Sequence, residues 1–555
     1  MRPSFLGLDI ARSSLFAHQQ YLDVTGHNIA NANVEGYSRQ RLNLNAGLDL
    51  YGMGYPGSVG TGVRVEQLER VRDTLLDRDF RRQQSELQHN QNRLDYLTRL
   101  ENIYGDLGDT GLQASADRFF DAWQEAAQRP EDLSLRQVLL QRGQDLAEQV
   151  QQMDADALQL QQQAQRDLQQ TVTRINAMAE ELAALNLEVS KRSGAGETPA
   201  DLLDQRDRLL DELSQYARIQ VRENDLGAVQ VQIDGKAIVD EGGAQALRLR
   251  PDPDIVRAMA PPGNGTLSHG DLVINGVDII GSSPDLVIGG PADYGRLVEQ
   301  INLHSAQTHI RAELDPANQL VLTGLRDGST YLNLQVNGNG LALTGLRGGS
   351  QTLTTHSRLV VGNSSVIDSP GGKLGGLQQA RNTEIPQTMQ QLNQLVNELS
   401  SRVNQLHSNA YDLDGQTGRP FFMGSSPADL QVAQSLFSDP GQVALAANPA
   451  FPPGDGSQGL AIANLRQVMG FDTRQQAMIT ELGNRISGLE GKAAQGQRVL
   501  EQIENQRQSV AGVNLDEELS RMLQFQRSYN AAARVMTTFD EMLNQVINGM
   551  GLVGR

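Results

Sequence analysis

The chain contains no cysteine, which excludes disulfides, thiolate metal sites and a cysteine nucleophile and leaves a cytosolic life and an exported, disulfide-free one both open. Long apolar runs are missing as well. No segment reaches the roughly 20 residues that a membrane-spanning helix needs. The opening "MRPSFLGLDIARSSLFAHQQ" has no apolar core of signal-peptide length. The expectation is a soluble protein with no membrane insertion and no export by the Sec route. A basic surplus is also lacking: 47 Lys and Arg stand against 66 Asp and Glu, a net charge of -19, so no nucleic-acid partner is expected. From Leu133 to Arg192 there is no proline and one glycine, Gly143, so the usual helix breakers are absent from that stretch.

Chemical motifs are equally scarce. The eight histidines are scattered, with His304 and His309 off one helical face, which argues against zinc. No G-x-S-x-G elbow occurs. "YDLDGQTG" from Tyr411 starts like a calcium loop, but Gln416 and Thr417 stand where a ligand and the turn glycine belong, and a turn is the better reading. "NGNGLALTG" lacks the third glycine of a dinucleotide fingerprint, and "GGKL" lacks the hydroxyl of a phosphate loop. In "DLLDQRDRLLDELS", Asp204, Asp207 and Asp211 share a helical face, the spacing from which an acid and base pair could be built. Arg208 lies i+4 from Asp204 and i-4 from Glu212 on a solvated helix, and that structural use is favoured.

What is present is periodicity. A length of 555 residues at 39% hydrophobic has material for about three or four domains. Leu8, Leu15, Leu22 and Ile29 repeat every seven residues, with Ala11, His18 and Thr25 between them. "NIANANVEGYSRQ" then ends that helix: Asn31, Asn33 and Gly36 tolerate left-handed angles and predict a stop and turn. Extended segments through "YGMGYPGSVGTG" and "VRVEQL" lead to a helix predicted to start near Glu69. A heptad then runs through Leu139, Leu146, Met153 and Leu160, slips by one residue, and resumes through Leu168, Ile175, Leu182 and Val189. Similar stripes recur over 385–406 and 479–503. Between 219 and 373 the texture turns to alternation and turn residues, with one helix near Tyr294 to Leu303. Residues 411–470 read as an irregular stretch. At the far end Leu519, Met522, Tyr529, Ala533, Met536, Leu543 and Ile547 form another stripe.

The fold class expected is mainly α with a β-rich insert: an elongated multidomain protein combining a discontinuous long-helix bundle with paired terminal coiled-coil helices. The domains expected are 1–40, an N-terminal assembly helix and turn; 41–219, extended hairpins and the first part of the bundle; 220–373, one or more β-rich inserted domains; 374–514, the second part of the bundle with the loop 411–470; and 515–555, a C-terminal helix that pairs with 1–40. Amphipathic helices at both ends depend on burial, so they should pair with each other or with other subunits.

"HNIANANVEGYSRQ" resembles the N-terminal signature of the bacterial flagellar rod, hook and hook-associated protein family, and "VGTGVRVEQLERVRDTLLDRDFR" resembles the segment that comes after that signature in the family. "GVNLDEELSRMLQFQRSYNAAARVMTTFDEMLNQVIN" resembles the family's C-terminal motif. Within the family, "GYSRQ", "FFDAWQEAAQRPEDLSLRQ" and "DLLDQRDRLLDELSQY" point to a hook-associated member. Val34-Glu35 departs from the Thr-Pro that is usual in the family, so the helix break carries over but not the geometry of the turn.

The resemblance implies a structural subunit of the junction between hook and filament. It is transiently cytoplasmic, held by an export chaperone at its C-terminal segment, passed unfolded through the flagellar type III apparatus, and assembled extracellularly as a ring of copies. The partners implied are the same chain, the flagellar hook protein and the next hook-associated protein on the filament side. No catalytic residue, cofactor or metal carries over. The assembly residues implied are Leu8, Leu15, Leu22, Ile29, Leu519, Met522, Tyr529, Met536 and Leu543, with Asn31, Asn33, Gly36 and Tyr37 as the turn motif. The competing readings are a cell-wall glycosidase using the Asp204 to Asp211 carboxylates and a cytosolic coiled-coil scaffold.

Overall fold

The structure is a computed structural model that describes residues 6–34, 36–47, 49–50, 59–105, 108, 111–362, 365–450 and 452–549. Glu35, the Gly-rich residues 51–58 and the extreme ends of both expected assembly segments lie outside the described residues. Among the described residues nine helices reach ten residues: α1 Leu6–Asn31, α2 Thr74–Tyr104, α3 Leu112–Gln128, α4 Leu133–Gly194, α5 Ala200–Tyr216, α6 Tyr294–Leu303, α7 Ile385–Asn409, α8 Phe471–Ala511 and α9 Leu515–Gly549. Helix makes up 59% of the chain, so the mainly α expectation holds. The chain divides into two units, Met1–Leu87, Arg174–Leu247 and Ala494–Arg555 in the first, Gln88–Thr173 and Arg248–Ala493 in the second.

The heptad of α4 is realised along the whole helix. Leu139, Leu146, Met153, Leu160, Leu168, Ile175, Leu182 and Val189 are all buried, on both sides of the one-residue slip. The slip is the correction a 3.6-residue helix needs to keep a seven-residue repeat on one face. Gly143, the single glycine of the heptad-bearing stretch, has a packing reason. A Cβ there would lie 2.9 Å from Cε1 of Phe421 and 3.0 Å from Cγ2 of Val432, so the bare backbone admits that pair to the helix surface.

In the first unit, strands β1 (Gln40–Ala46) and β4 (Val63–Arg70) form an antiparallel ladder from Gln40↔Arg70 to Ala46↔Val63, and the two-residue strands β2 (Asp49–Leu50) and β3 (Val59–Gly60) pair between them. The helix expected near Glu69 therefore begins later, at Thr74. Glu69 belongs to the strand because its carboxylate takes Arg41 at 3.0 Å and Asn43 at 2.9 Å across the ladder, pairings that need sequence-distant partners. After α5, the strands β5 (Ile219–Glu223), β6 (Val229–Ile233), β7 (Lys236–Asp240) and β8 (Gly243–Ala244) form a meander in that order. Its β6–β7 turn is Asp234-Gly235, with both φ angles positive at 50° and 73°, the geometry a two-residue hairpin favours. Asn186 of α4 docks the meander, donating to Val229 O at 2.7 Å and accepting from Val229 N–H at 2.9 Å.

The strands from Arg248 onward lie in the second unit, so the β-rich stretch 220–373 is shared between the two units. The largest sheet there has the order Val277–Asp278, Leu272–Ile274, Ser329–Val336, Gly349–Val361, Ser365–Ile367. Its buried Leu272, Ile274, Leu332 and Leu334 share a core with Leu297 and Ile301 of α6, a helix whose bounds match the sequence reading. Residues 411–470 are less irregular than expected. They hold a strand pair, Phe422–Met423 with Gln431–Val432, and short helices including Ser457–Ala463. Asp412 accepts from the N–H groups of Asp414 (3.0 Å) and Gln416 (2.8 Å) and from the Arg419 guanidinium, which is the turn reading.

Candidate assembly interface

All the residues singled out at the two chain ends fall in the first unit, where α1 and α9 pack along one another. The pairing is antiparallel. Gly7 faces Phe539, Tyr21 stacks on Phe525 with ring centroids 4.2 Å apart, and Asn28 Nδ2 donates to Glu518 Oε2 at 3.1 Å. Tyr21 also donates to Leu42 O at 2.7 Å, tying β1 to the pair.

The seam follows the intermediate step of the repeat more closely than its leucines. The most enclosed positions of α1 are Ala11 (3% exposed), Ala17 (1%), Thr25 (3%) and Asn28 (2%). Leu8, Leu15, Leu22 and Ile29 are each half-buried beside it. Small residues let the two backbones approach, and the leucines are left on the flank. On α9, Met522, Tyr529, Met536 and Leu543 are half-buried. Leu519 is 49% exposed, and its neighbour Glu518 takes the seam at 1%. A carboxylate is tolerated there because its oxygens are occupied: Arg39 bonds it at 2.7 Å and Asn28 at 3.1 Å. Phe16, Leu523, Val535, Met542 and Ile547 present apolar side chains to solvent.

The turn after α1 is built mainly by Asn28, which the motif contains and the sequence reading passed over. Its Oδ1 accepts from Tyr37 OH at 2.8 Å and Gln40 N–H at 2.9 Å, and its Nδ2 donates to Gln40 O at 2.9 Å as well as to Glu518. His27 meets the same Tyr37 hydroxyl at 3.0 Å. Among the described residues of the turn only Gly36 has positive φ, 75°. Asn31 instead donates back to His27 O at 3.0 Å, and Asn33 is exposed. The left-handed roles expected of those two asparagines are corrected accordingly, because a helix can end on a side-chain bond to its last turn. Burial, with Asp204, Asp201 and Glu518 nearby, raises the Tyr37 hydroxyl above the ordinary tyrosine value, so it stays a donor. Beyond the turn, Arg39 N–H donates to Ala511 O at 3.0 Å, closing the chain against the end of α8.

Beneath the turn lie the α5 carboxylates, and they are not on a solvated face. Asp204 and Asp207 are buried. Asp204 takes Arg70 at 2.7 Å and the Ser38 N–H at 3.1 Å. Asp207 takes Arg70 at 2.6 Å, Arg206 at 3.3 Å, Arg72 at 3.4 Å and Arg81 at 3.5 Å, and Asp211 takes Arg81 and Arg507, both at 2.6 Å. The expected Asp204–Arg208 and Arg208–Glu212 pairs give way to these longer-range ones. Burial alone would raise the Asp207 carboxyl, but the guanidiniums of Arg72, Arg206, Arg70 and Arg81 outweigh it and hold the group well below the usual carboxylate range. A carboxylate held in this direction favours its ionised form, the opposite of what a general acid needs. The cluster ties α5, β4, α2 and α8 under the turn.

Comparison with known proteins gives separate matches for the middle of the chain and for each terminal segment. Residues 97–272 and 323–422 match the family described as the flagellar hook-associated protein FlgK helical domain. Residues 8–37 match the flagella basal body rod protein family, and residues 504–549 match the flagellar basal body rod FlgEFG protein C-terminal family. Flagellar hook-associated protein 1 of Bacillus subtilis is 26% identical over 100% of both chains. The protein of that name from Escherichia coli is 24% identical over 97% of this chain and 98% of its own. The solved flagellar hook junction protein FlgK from Burkholderia pseudomallei superposes with a TM-score of 0.51 at 14% identity, covering 78% of this chain and 100% of that one, and so shares the fold. With both terminal segments, the helical middle and the full-length relatives in agreement, the chain belongs to the bacterial flagellar hook-associated protein family, the structural proteins of an extracellular motility organelle.

Proposed function

We propose that this protein is a subunit of the junction between hook and filament, and that the α1–α9 pair is its assembly device. The observation that carries the reading is the half-made interface at the chain ends. A flank of half-buried leucines and a set of exposed apolar side chains, Phe16, Leu523 and Val535 among them, run along helices whose shared seam is narrow. Neighbouring copies, the hook protein on one side and the next hook-associated protein on the other are the surfaces that bury them. Such helices gain most of their order on assembly, because their own seam offsets little of the entropy lost on ordering. Ends of this kind, in a chain without disulfides, suit passage unfolded through the type III apparatus. A chaperone at the C-terminal segment would cover the same apolar side chains before export.

The test is co-sedimentation with isolated hooks. The unsubstituted chain pellets with hooks, and a Phe16→Glu/Leu523→Glu double variant, altered only at exposed positions, stays in the supernatant with its circular dichroism unchanged. Equal pelleting of a folded variant would remove the α1–α9 pair from the mechanism.

A further inference from the structure

His407 lies in the second unit, at the end of α7, and none of the assembly residues touches it. Its ring is fully buried, between Trp123 and Phe421 with centroids 6.1 Å and 5.6 Å away. Its Nε2 accepts the Ala444 N–H at 3.0 Å, so the ring proton sits on Nδ1 and is donated to Arg419 O at 2.8 Å. One neutral imidazole therefore clasps the segment 411–446 at two points. The same segment is closed by the Tyr411↔Ala446 bridge and by Gly418 N–H on Ser408 O at 2.9 Å.

The peptide between Val443 and Ala444 is used from both sides. Its N–H goes to His407, and its C=O accepts from Arg136. Arg136 is 1% exposed and is held by carbonyls, those of Pro130 at 2.8 and 2.6 Å and of Gly441 at 3.4 Å besides Val443. Burial, only partly offset by Asp412 and Glu131, brings its guanidinium down to about 10. The charged groups that face the imidazole are thus Arg136 from α4 and Asp412 and Arg419 from the segment itself. Asp412 is already engaged by two backbone N–H groups on one oxygen and by Arg419 on the other.

We propose that His407 is an acid-operated latch: its neutral ring holds the 411–446 segment against α3 and α7, and its protonation releases that segment while the rest of the unit stays folded. A proton on Nε2 would set two donors, imidazolium and Ala444 N–H, 3.0 Å apart with no acceptor between them. It would also place a second uncompensated cation one peptide away from Arg136. Burial of the ring, with Arg136 and Arg419 beside it, holds His407 down at about 4, although the Arg419 carbonyl and Asp412 pull the other way. The sign is that of a depressed histidine. An opened segment binds the proton from about pH 6.5 downward and the closed one does not, so closure weakens about tenfold for each pH unit between about 6.5 and 4.

Amide exchange of the full chain at a series of pH values from 7 to 4.5, corrected for intrinsic rates, reads this directly. Peptides within 411–446 lose protection about tenfold per pH unit, while α4 peptides around Leu139 to Leu168 keep theirs. In His407→Gln, whose amide can accept from Ala444 and donate to Arg419 without titrating, the protection of the segment becomes independent of pH. The same pH profile in that variant would assign the opening to another group that the fold holds below its ordinary value, such as His309, and overturn the proposal. Simultaneous loss in segment and helices would overturn it too. If His407→Gln is already open at neutral pH, the Cε1–H resonance of His407 in the unsubstituted chain decides: a titration that tracks segment opening supports the latch, and one displaced from it refutes it.

Discussion

Asn28 fills every hydrogen-bonding position its amide has, two donors and two acceptors, with Gln40 on both sides, Tyr37 and Glu518. Replacing it with Ala leaves the Gln40 backbone groups, the Tyr37 hydroxyl and one Glu518 oxygen short of a partner in a closed site. Asn28→Ala is expected to destabilise the assembled α1–α9 end by ~2–4 kcal/mol, read as denaturant-driven release from hooks, where that end is ordered, whereas Asn33→Ala at an exposed position should change it by under ~0.5 kcal/mol. This was the residue least legible in the sequence. Its motif could be quoted, but local rules assign turn-making to Asn31 and Asn33, because they score left-handed tolerance a few residues ahead. The partners that choose Asn28 stand 12 and 490 residues away. Asp204 tells the same story. Spacing supplied Arg208 as its partner, and the fold supplied Arg70 and the Ser38 N–H instead.

Elements were legible in proportion to the length of their pattern. The eight α4 heptad residues all proved buried, and α6 fell on its expected bounds, because a buried stripe is a local property of the chain. The short β4 strand was misread at its end, since a strand that runs almost into a helix start differs from it only through its ladder partner. The heptad distinction has a direct test on one helix. Leu182→Ala, at a fully buried position, is expected to cost ~2–5 kcal/mol in unfolding experiments, and Leu187→Ala, five residues on and 75% exposed, close to nothing. In α1 the most enclosed positions include Ala11 and Thr25, the intermediate step of the seven-residue repeat. The seam runs through Ala11, Thr25 and Asn28, and the leucines flank it. Half-buried leucines and exposed apolar side chains remain along the pair.

At the scale of the whole molecule, the two ends of a 555-residue chain meet in one unit and carry the matches shared with rod proteins, while the middle carries the hook-associated helical domain. The family is legible because both ends carry long motifs, whereas the division of the strand-rich stretch is not, because 219–247 and 248–367 have the same texture. The central claim is that α1 and α9 acquire their stability from neighbouring subunits, and amide exchange measured on a demonstrated monomer and again on the hook-bound assembly tests it most directly. The account predicts that in the monomer both terminal helices exchange orders of magnitude faster than α4 and that on the hook they become protected while α4 is unchanged. Equal protection of α1 and α9 in both states would show that the pair is complete by itself and would contradict it.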